Sequence, residues 1–196
     1  MSDYPRHELI RKAIHVSMSV LPLSLFALGR DLGTVLIATA LTVAIVVDIV
    51  RLRWEPARRF FERLFGESLR PHERYELTGS TFMGISALVC VILFTVPIAV
   101  AALLFLTIGD SAAALVGMRW GRTTLLPGKT LEGTLACLVS CSIIGIVVPG
   151  VPFIAGITGA LVASTVELLG IETIDDNFGI PILSALAMWI VASVVG

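Results

Sequence analysis

The sequence predicts an all-α, polytopic transmembrane helix bundle of about seven spans, and three observations carry that expectation. Hydrophobic residues make up 56% of the chain and charged residues only 15%, with a mean hydropathy of +0.94, far from the composition of a soluble domain. Apolar runs recur along nearly the whole length, each close to the roughly 20 residues that a helix needs to cross about 30 Å of hydrocarbon. All but Arg30 of the fourteen basic residues fall in alternate connections, and therefore on one side.

The first run, residues 13–29, follows Arg6, Arg11 and Lys12 and lacks a small-residue cleavage site, so it is expected to remain as a helix. Gly29-Arg30-Asp31 turns the chain into the second run, 32–50. An arginine-rich connector, Arg51 to Arg74, leads to the third and fourth runs, 79–96 and 97–118, divided at Val96-Pro97. A short loop with Arg119, Arg122 and Lys129 precedes the fifth run, 131–149. Pro149-Gly150-Val151-Pro152 separates it from the sixth, 151–170, and the seventh occupies 179–195. By the positive-inside rule the N-terminus and the basic connections are cytoplasmic and the C-terminus lies outside. This is the pattern of a multi-pass integral membrane protein and one domain, 1–196, with no repeat or low-complexity tract.

Within the arginine-rich connector, Trp54, Ala57, Phe61 and Leu64 recur at helical spacing while Arg53, Arg58, Arg59 and Arg63 take the other face. This pattern fits a short amphipathic helix in the headgroup layer between spans two and three. A solvated connector docked on its own bundle by the same stripe fits equally well. Cys90, Cys137 and Cys141 lie inside apolar segments and read as small packing residues. A net charge of -1 without a basic tract excludes nucleic acid as a partner and leaves the membrane lipid.

Polar residues gather at the cytoplasmic ends of the runs. Asp110 is the most demanding, lying about eight residues short of its helix end and so roughly 12 Å deep. A carboxylate there costs at least about 2.5 kcal/mol unless it is paired, protonated or bound to a cation. Gly109, Ala113, Gly117 and Gly121 form a small-residue stripe beside it, which admits a neighbouring helix or a ligand close to the backbone. The following loop collects Arg119, Arg122 and Lys129, positive charge suited to a polyphosphate, with Asp110 as a hard oxygen ligand for Mg²⁺. Gly128-Lys129-Thr130 mimics the end of a P-loop, but Thr123 stands where that loop needs glycine and no strand is expected before it. Lys129 either pairs with Glu132 at i,i+3 or holds phosphate at a helix N-terminus.

Asp175, Asp176 and Asn177 precede the last apolar run. Any one of them serves as an N-cap. Together they also offer a metal-binding carboxylate pair and a base for a hydroxyl proton. Arg11 and His15 share a helix face, with Lys12 turned partly away and reading as a topology-setting charge. His15 lies inside an apolar run, which makes it a site candidate. Asp48 and Glu167 read as structural counter-charges.

These segments, RKAIH at 11–15, GDSAAALVG at 109–117 with WG at 120–121, GKTLEG at 128–133 and VELLGIETIDDNFGIP at 166–181, resemble the CTP-dependent polyprenol (dolichol), phytol and diacylglycerol kinases, relatives of the membrane phosphatidate cytidylyltransferases. The resemblance covers nearly the whole chain. It implies transfer of the CTP γ-phosphate to a membrane lipid alcohol with Mg²⁺ or another divalent cation, at a site on the cytoplasmic face. It also implies that Gly117, Lys129 and Glu132, with Asp110, belong to the CTP site and that Asp175, Asp176 and Asn177 complete the metal and catalytic cluster; with the residue readings above, Gly109, Arg122, Arg11 and Asn177 are expected to serve the nucleotide. Asp175, Asp176 and His15 would be catalytic, and Asp110 and Asp176 would bind the metal. Family members often carry two acids where this chain has Gly109-Asp110.

The rival chemistry is cytidylyl transfer, for which the last quarter lacks a PGHGG-type stretch. An ion-coupled transporter is the rival class, and it would place acids near the midplane of two matching halves. Phe82, Met83, Phe94, Phe105 and Trp189 are the candidates for shaping a lipid pocket. Oligomeric state is open, a homodimer included.

Overall fold

The computed structural model describes residues 6–170 and 175–195, so residues 171–174 of the last segment quoted above lie outside the described residues. In chain order the helices are α1 (Arg6–Ser17), α2 (Val20–Arg53), α3 (Glu55–Phe65), α4 (Gly79–Leu93), α5 (Val96–Leu104), α6 (Ser111–Trp120), α7 (Leu131–Val147), α8 (Phe153–Leu169) and α9 (Asp176–Val195).

The first reversal rests on one glycine. Gly29, inside α2, has φ 83° and ψ 167°, a conformation that glycine adopts without steric cost. Residues eight apart on a straight helix are about 12 Å apart, yet a Cβ on Gly33 would sit 2.9 Å from the Leu25 Cα. The chain therefore doubles back at Gly29, and Arg30 ties the turn to α4 through Nη2–H donated to the Val91 carbonyl at 2.7 Å.

The core runs along α5. Ala99, Val100, Ala101 and Ala102 are fully buried, and α5 touches α2, α4, α7, α8 and α9. Together α5, a π-helical turn at Phe105–Asp110 and α6 make one 25-residue rod, about 37 Å long at 1.5 Å per residue. Where the surrounding helix faces are apolar on both sides, burial against a neighbour gains little over lipid, and close backbone packing has to hold the bundle. Gly145 of α7 and Gly156 of α8 supply such a crossing, because a Cβ on Gly145 would meet the Gly156 backbone at 2.8 Å. Outward-facing Val35, Val43 and Val46 on α2, Val139 and Ile143 on α7, and Trp189 on α9 leave an apolar exterior.

By length and composition three helical stretches are long enough to cross a membrane, Arg6–Arg53, Val96–Trp120 and Asp176–Val195. Shorter apolar helices cover Gly79–Leu93, Leu131–Val147 and Phe153–Leu169. The architecture is that of a helical membrane protein.

The helical architecture carries one short strand pair. Thr124–Leu126 (β1) pairs antiparallel with Lys129–Thr130 (β2). Pro127 and Gly128, the latter at φ 75°, provide the proline and positive-φ glycine that a tight turn asks for. The segment read as a plain loop is a rigid β-hairpin that presents Lys129.

α3 behaves as an amphipathic helix lying against α2. Phe61 packs under the Arg51 guanidinium at 5.2 Å, while Trp54, Phe60 and Leu64 stay exposed. None of its residues is fully buried.

Candidate functional site

One end of the bundle gathers the ionisable side chains that sequence placed there, and several pair in ways that sequence did not indicate. α1 lies against α6 and the π-helical turn, where Ser19 Oγ–H donates to Thr107 Oγ1 at 2.7 Å. A π-helical turn carries an extra residue and recurs at functional sites. Here Ser111 Oγ–H caps the Thr107 carbonyl at 2.7 Å, and the turn delivers Asp110 to α1. Lys12 Nζ donates to Asp110 Oδ2 at 2.5 Å, and His15 Nδ1 lies 3.6 Å from the same oxygen. Lys12 and Asp110 are both buried. Lys12, read as a topology charge, is thus the counter-ion of Asp110.

The β-hairpin sends Lys129 across to the end of α8, where Nζ donates to Glu167 Oε1 at 2.6 Å. α8 stops at Gly170 with φ 50°, a left-handed cap that lets the Lys129 stem pass close by. The Lys129–Glu132 pair is therefore replaced by Lys129–Glu167. Glu132 instead accepts the Arg122 and Thr123 backbone N–H groups at 3.1 and 3.2 Å and clasps the loop. Arg122 is exposed and, like Glu132, lies outside the cavity lining. Gly109 is outside it too, since a Cβ there would strike Cys141 Sγ at 2.3 Å. That glycine serves the seam between the central rod and α7. Gly117 faces the same seam and also lines the cavity.

The N-terminus of α9 is set by two local rules. Asp175 Oδ1 accepts the Asn177 backbone N–H and side-chain Nδ2–H at 2.8 and 2.6 Å, an N-cap. Pro181 has no N–H for the carbonyl four residues earlier, and that carbonyl, Asn177 O, accepts Ser86 Oγ–H at 2.8 Å instead. Asp175 Oδ2 also accepts Arg70 Nη1–H at 3.2 Å. Asp175 is therefore already bonded on both oxygens, and Asp176 is the carboxylate of the pair that lines the cavity.

These side chains surround a polar cavity of about 490 Å³, lined among others by Lys12, Asp110, Lys129, Glu167 and Asp176. A second cavity, of about 640 Å³, is mostly apolar. Ile14, Met18, Ala40, Ala44, Phe61 and Phe65 form its walls, with His15 and Asn177 at its polar end. Arg11 and Arg70 line both. Asn177, expected at the nucleotide, faces the apolar cavity, and its buried Oδ1 has no hydrogen-bond partner among the described residues.

The aromatic residues proposed to shape a lipid pocket do not line this cavity. Met83, Phe94 and Phe105 are core residues.

Among the described residues no group of three or more His, Cys, Asp or Glu side chains is placed to hold an ion, and Asp110 is paired with Lys12. The polar cavity still offers Asp176 and the buried, unpartnered Glu167 Oε2. Mg²⁺ is commonly held by one or two carboxylates with substrate phosphates completing the shell, and the residues present fit that arrangement.

Asp48 does not balance the α1 cations. Its Oδ1 accepts Arg51 Nε–H at 2.7 Å, and its Oδ2 accepts the Thr78 backbone N–H and Thr81 Oγ–H at 2.9 and 2.6 Å.

A helical membrane protein with a charged cavity opening beside an apolar one is the class that fold and site define. Compared with known proteins, the chain is 28% identical over 209 residues to CTP-dependent diacylglycerol kinase 1 of Schizosaccharomyces pombe, covering 95% of this chain and 94% of that one. The enzyme of the same name from Saccharomyces cerevisiae is 25% identical over 211 residues, 93% of this chain and 73% of that one. An uncharacterized protein of Rickettsia prowazekii is 28% identical over 186 residues, 90% and 91% of the two chains. No protein-family model and no solved structure matches. The near full-length likeness supports the CTP-dependent lipid kinase family, the one that the four sequence segments resemble.

Proposed function

We propose that this protein transfers the γ-phosphate of CTP to the hydroxyl of a membrane lipid alcohol, with diacylglycerol the first acceptor to test because two of the relatives named above carry that activity in their names. The observation that carries the proposal is the pairing of cavities, one polar and lined by charges of both signs and one apolar, with Arg11 and Arg70 in their common wall. The site is taken to open on the cytoplasmic face of a seven-span bundle, as the distribution of basic residues implies.

In this reading the nucleotide phosphates occupy the polar cavity against Lys129 and Lys12. Gly117 and Gly133, where a Cβ would meet Thr130 and, at Gly133, the Ala113 carbonyl, let α6 and α7 pack closely in the wall that both line. Asp176 and Glu167 would hold Mg²⁺, which neutralises charge on the donor phosphates. The alkyl chains lie along Ala40, Ala44 and Phe61, and the hydroxyl meets Asn177 Oδ1 and His15 at the polar end. His15, with Asp110 3.6 Å from its Nδ1, would receive the hydroxyl proton. Phosphoryl transfer asks mainly for positioning and charge stabilisation, which Lys12, Lys129, Arg11 and Arg70 would supply.

The test is transfer from γ-labelled CTP and Mg²⁺ to diacylglycerol, a polyprenol or phytol in mixed micelles. Label in the lipid is the expected result, and the best acceptor defines the substrate. Label released as pyrophosphate when lipid phosphate is added would make the protein a cytidylyltransferase. Neither product, with either lipid class, would remove the reading.

A further inference from the structure

We propose that Arg70 is a phosphate-holding residue of the transfer site, aimed by a buried brace of Asp48, Arg51 and Glu73, and that it grips the phosphoryl group as it passes between the two cavities. The inference rests on the reading above and names a residue that the sequence motifs do not single out.

The first observation is the cost of the brace. Asp48, Arg51 and Glu73 are 1%, 2% and 6% exposed, and ions buried in this way lose several kcal/mol of hydration each unless fully bonded. They are fully bonded. Asp48 holds Arg51, and Arg51 Nη1 and Nη2 donate to the carbonyls of Glu73 and Glu76 at 2.8 and 2.5 Å. Glu73 in turn accepts the Gly79 backbone N–H at 2.8 Å and the Arg70 backbone N–H at 2.7 Å. The network bonds the main chain of Glu76, Thr78 and Gly79 at the start of α4, and one branch ends on the backbone N–H of Arg70. It therefore fixes the chain at Arg70 relative to α2 and α4.

The second observation is where that side chain goes. Arg70 and Arg11 are the two residues that line the polar cavity, the apolar cavity and a third, outer cavity of about 730 Å³ beside them. A guanidinium has five N–H donors, and Arg70 uses one on Asp175 at 3.2 Å. Arg11 is bonded to Glu8, and its buried Nε has no partner among the described residues. Two guanidinium groups with donors to spare, at the boundary of a nucleotide-sized and a lipid-sized space, match the planar bidentate chemistry of a phosphate.

In the step itself, the acceptor oxygen bonds to the γ-phosphorus as the bond from that phosphorus to the β,γ-bridging oxygen breaks. CDP leaves with the bridging oxygen and its electron pair, and the hydroxyl proton passes to the base. Arg70 holds the non-bridging oxygens throughout and remains bonded to the lipid phosphate product.

The experiment compares wild type, Arg70→Gln, Arg70→Lys and Glu73→Gln in the same mixed micelles. Three quantities are read: transfer from γ-labelled CTP to diacylglycerol, thermal stabilisation by CTP, and thermal stabilisation by phosphatidic acid. Arg70→Gln should lower kcat about 10- to 100-fold, the worth of a charge-assisted hydrogen bond or two, and weaken phosphatidic acid to a similar degree. The KM for CTP should stay within about threefold, since the α- and β-phosphates are held elsewhere. Arg70→Lys should recover part of the loss, and Glu73→Gln should show the same pattern in weaker form. Wild-type kcat and phosphatidic acid binding in Arg70→Gln would overturn the proposal. So would a parallel loss of CTP and phosphatidic acid binding with a lowered melting temperature, the mark of a purely structural residue. If wild type labels no alcohol, the kinase reading fails, and phosphatidic acid binding alone then decides: retained in Arg70→Gln, it overturns the inference; selectively lost, it sustains it.

Discussion

Replacing Asp110 by Asn removes the counter-charge 2.5 Å from Lys12 Nζ and leaves an ammonium group in a pocket where its side chain is 4% exposed. Breaking a buried pair by deleting one partner costs about 3–5 kcal/mol. Both side chains face the polar cavity, where water relieves part of the penalty, so the expected loss is about 3 kcal/mol. Lys12→Met strands the carboxylate and should cost about the same. The double variant Lys12→Met/Asp110→Asn buries no unpaired charge and should cost less than either single, a coupling of more than about 3 kcal/mol. Unfolding by dodecyl sulfate in mixed micelles, followed by tryptophan fluorescence, measures all four proteins. Additive losses, or single variants within about 0.5 kcal/mol of wild type, would refute the buried-pair argument. All three variants should fail to label lipid, and the double separates a lost site from a lost fold.

Lys129→Met should weaken CTP about tenfold or more in equilibrium dialysis, because a charge-assisted contact to phosphate goes with it; unchanged affinity would confine Lys129 to its pairing with Glu167. Gly145→Leu forces a side chain against the Gly156 backbone, where even a Cβ would stand at 2.8 Å, and should destabilise by about 1–3 kcal/mol. Wild-type unfolding of that variant would show that the α7–α8 crossing is not tight. Ala44→Phe narrows the apolar cavity and should raise the KM for the lipid acceptor severalfold while leaving that for CTP alone. A cysteine at Arg30 should react with a membrane-impermeant reagent added outside intact cells and one at Arg122 should not; the opposite pattern inverts the proposed orientation.

The apolar segments were legible because hydrocarbon imposes a length and a composition that sequence displays directly, and the turns at Gly29 and Gly150 because positive φ favours one residue type. The site was legible by region rather than by partner. Lys129 and Glu132 share a helical spacing that suggests a pair, but the chain at Lys129 is a strand, and helical spacing says nothing there. Lys12 looked incidental beside Arg11 and His15 because it is turned partly away from the face they share, and the periodicity of one helix says nothing of a partner 98 residues away. Gly109 looked like part of a ligand-binding stripe for a related reason. Small residues admit a sulfur atom from α7 as readily as a nucleotide, and only the packing decides between them. Arg70 carried no local signal, since its position depends on contacts to Asp175, 105 residues away in sequence.

The pairings also bear on how a cationic site can persist at a membrane surface before substrate arrives. Lys12 and Lys129 are each held by a carboxylate, Asp110 and Glu167, on a different helix. Bare ammonium groups at this depth would lose their charge or disrupt the packing, whereas paired ones keep their charge and stay in place. In the proposed function, an incoming polyphosphate with a divalent cation would supply anions for the lysines and a cation for the carboxylates, so each pair could be exchanged without leaving a net buried charge. Such an exchange would make nucleotide and cation binding interdependent. CTP without Mg²⁺ should bind weakly because it leaves Asp110 and Glu167 facing its phosphates, and Mg²⁺ without CTP should bind weakly because the lysines already occupy the acids. Titration calorimetry of each alone and of both together tests this: a CTP affinity independent of Mg²⁺ would mean that the lysines leave their acids without replacement, and would sink the exchange.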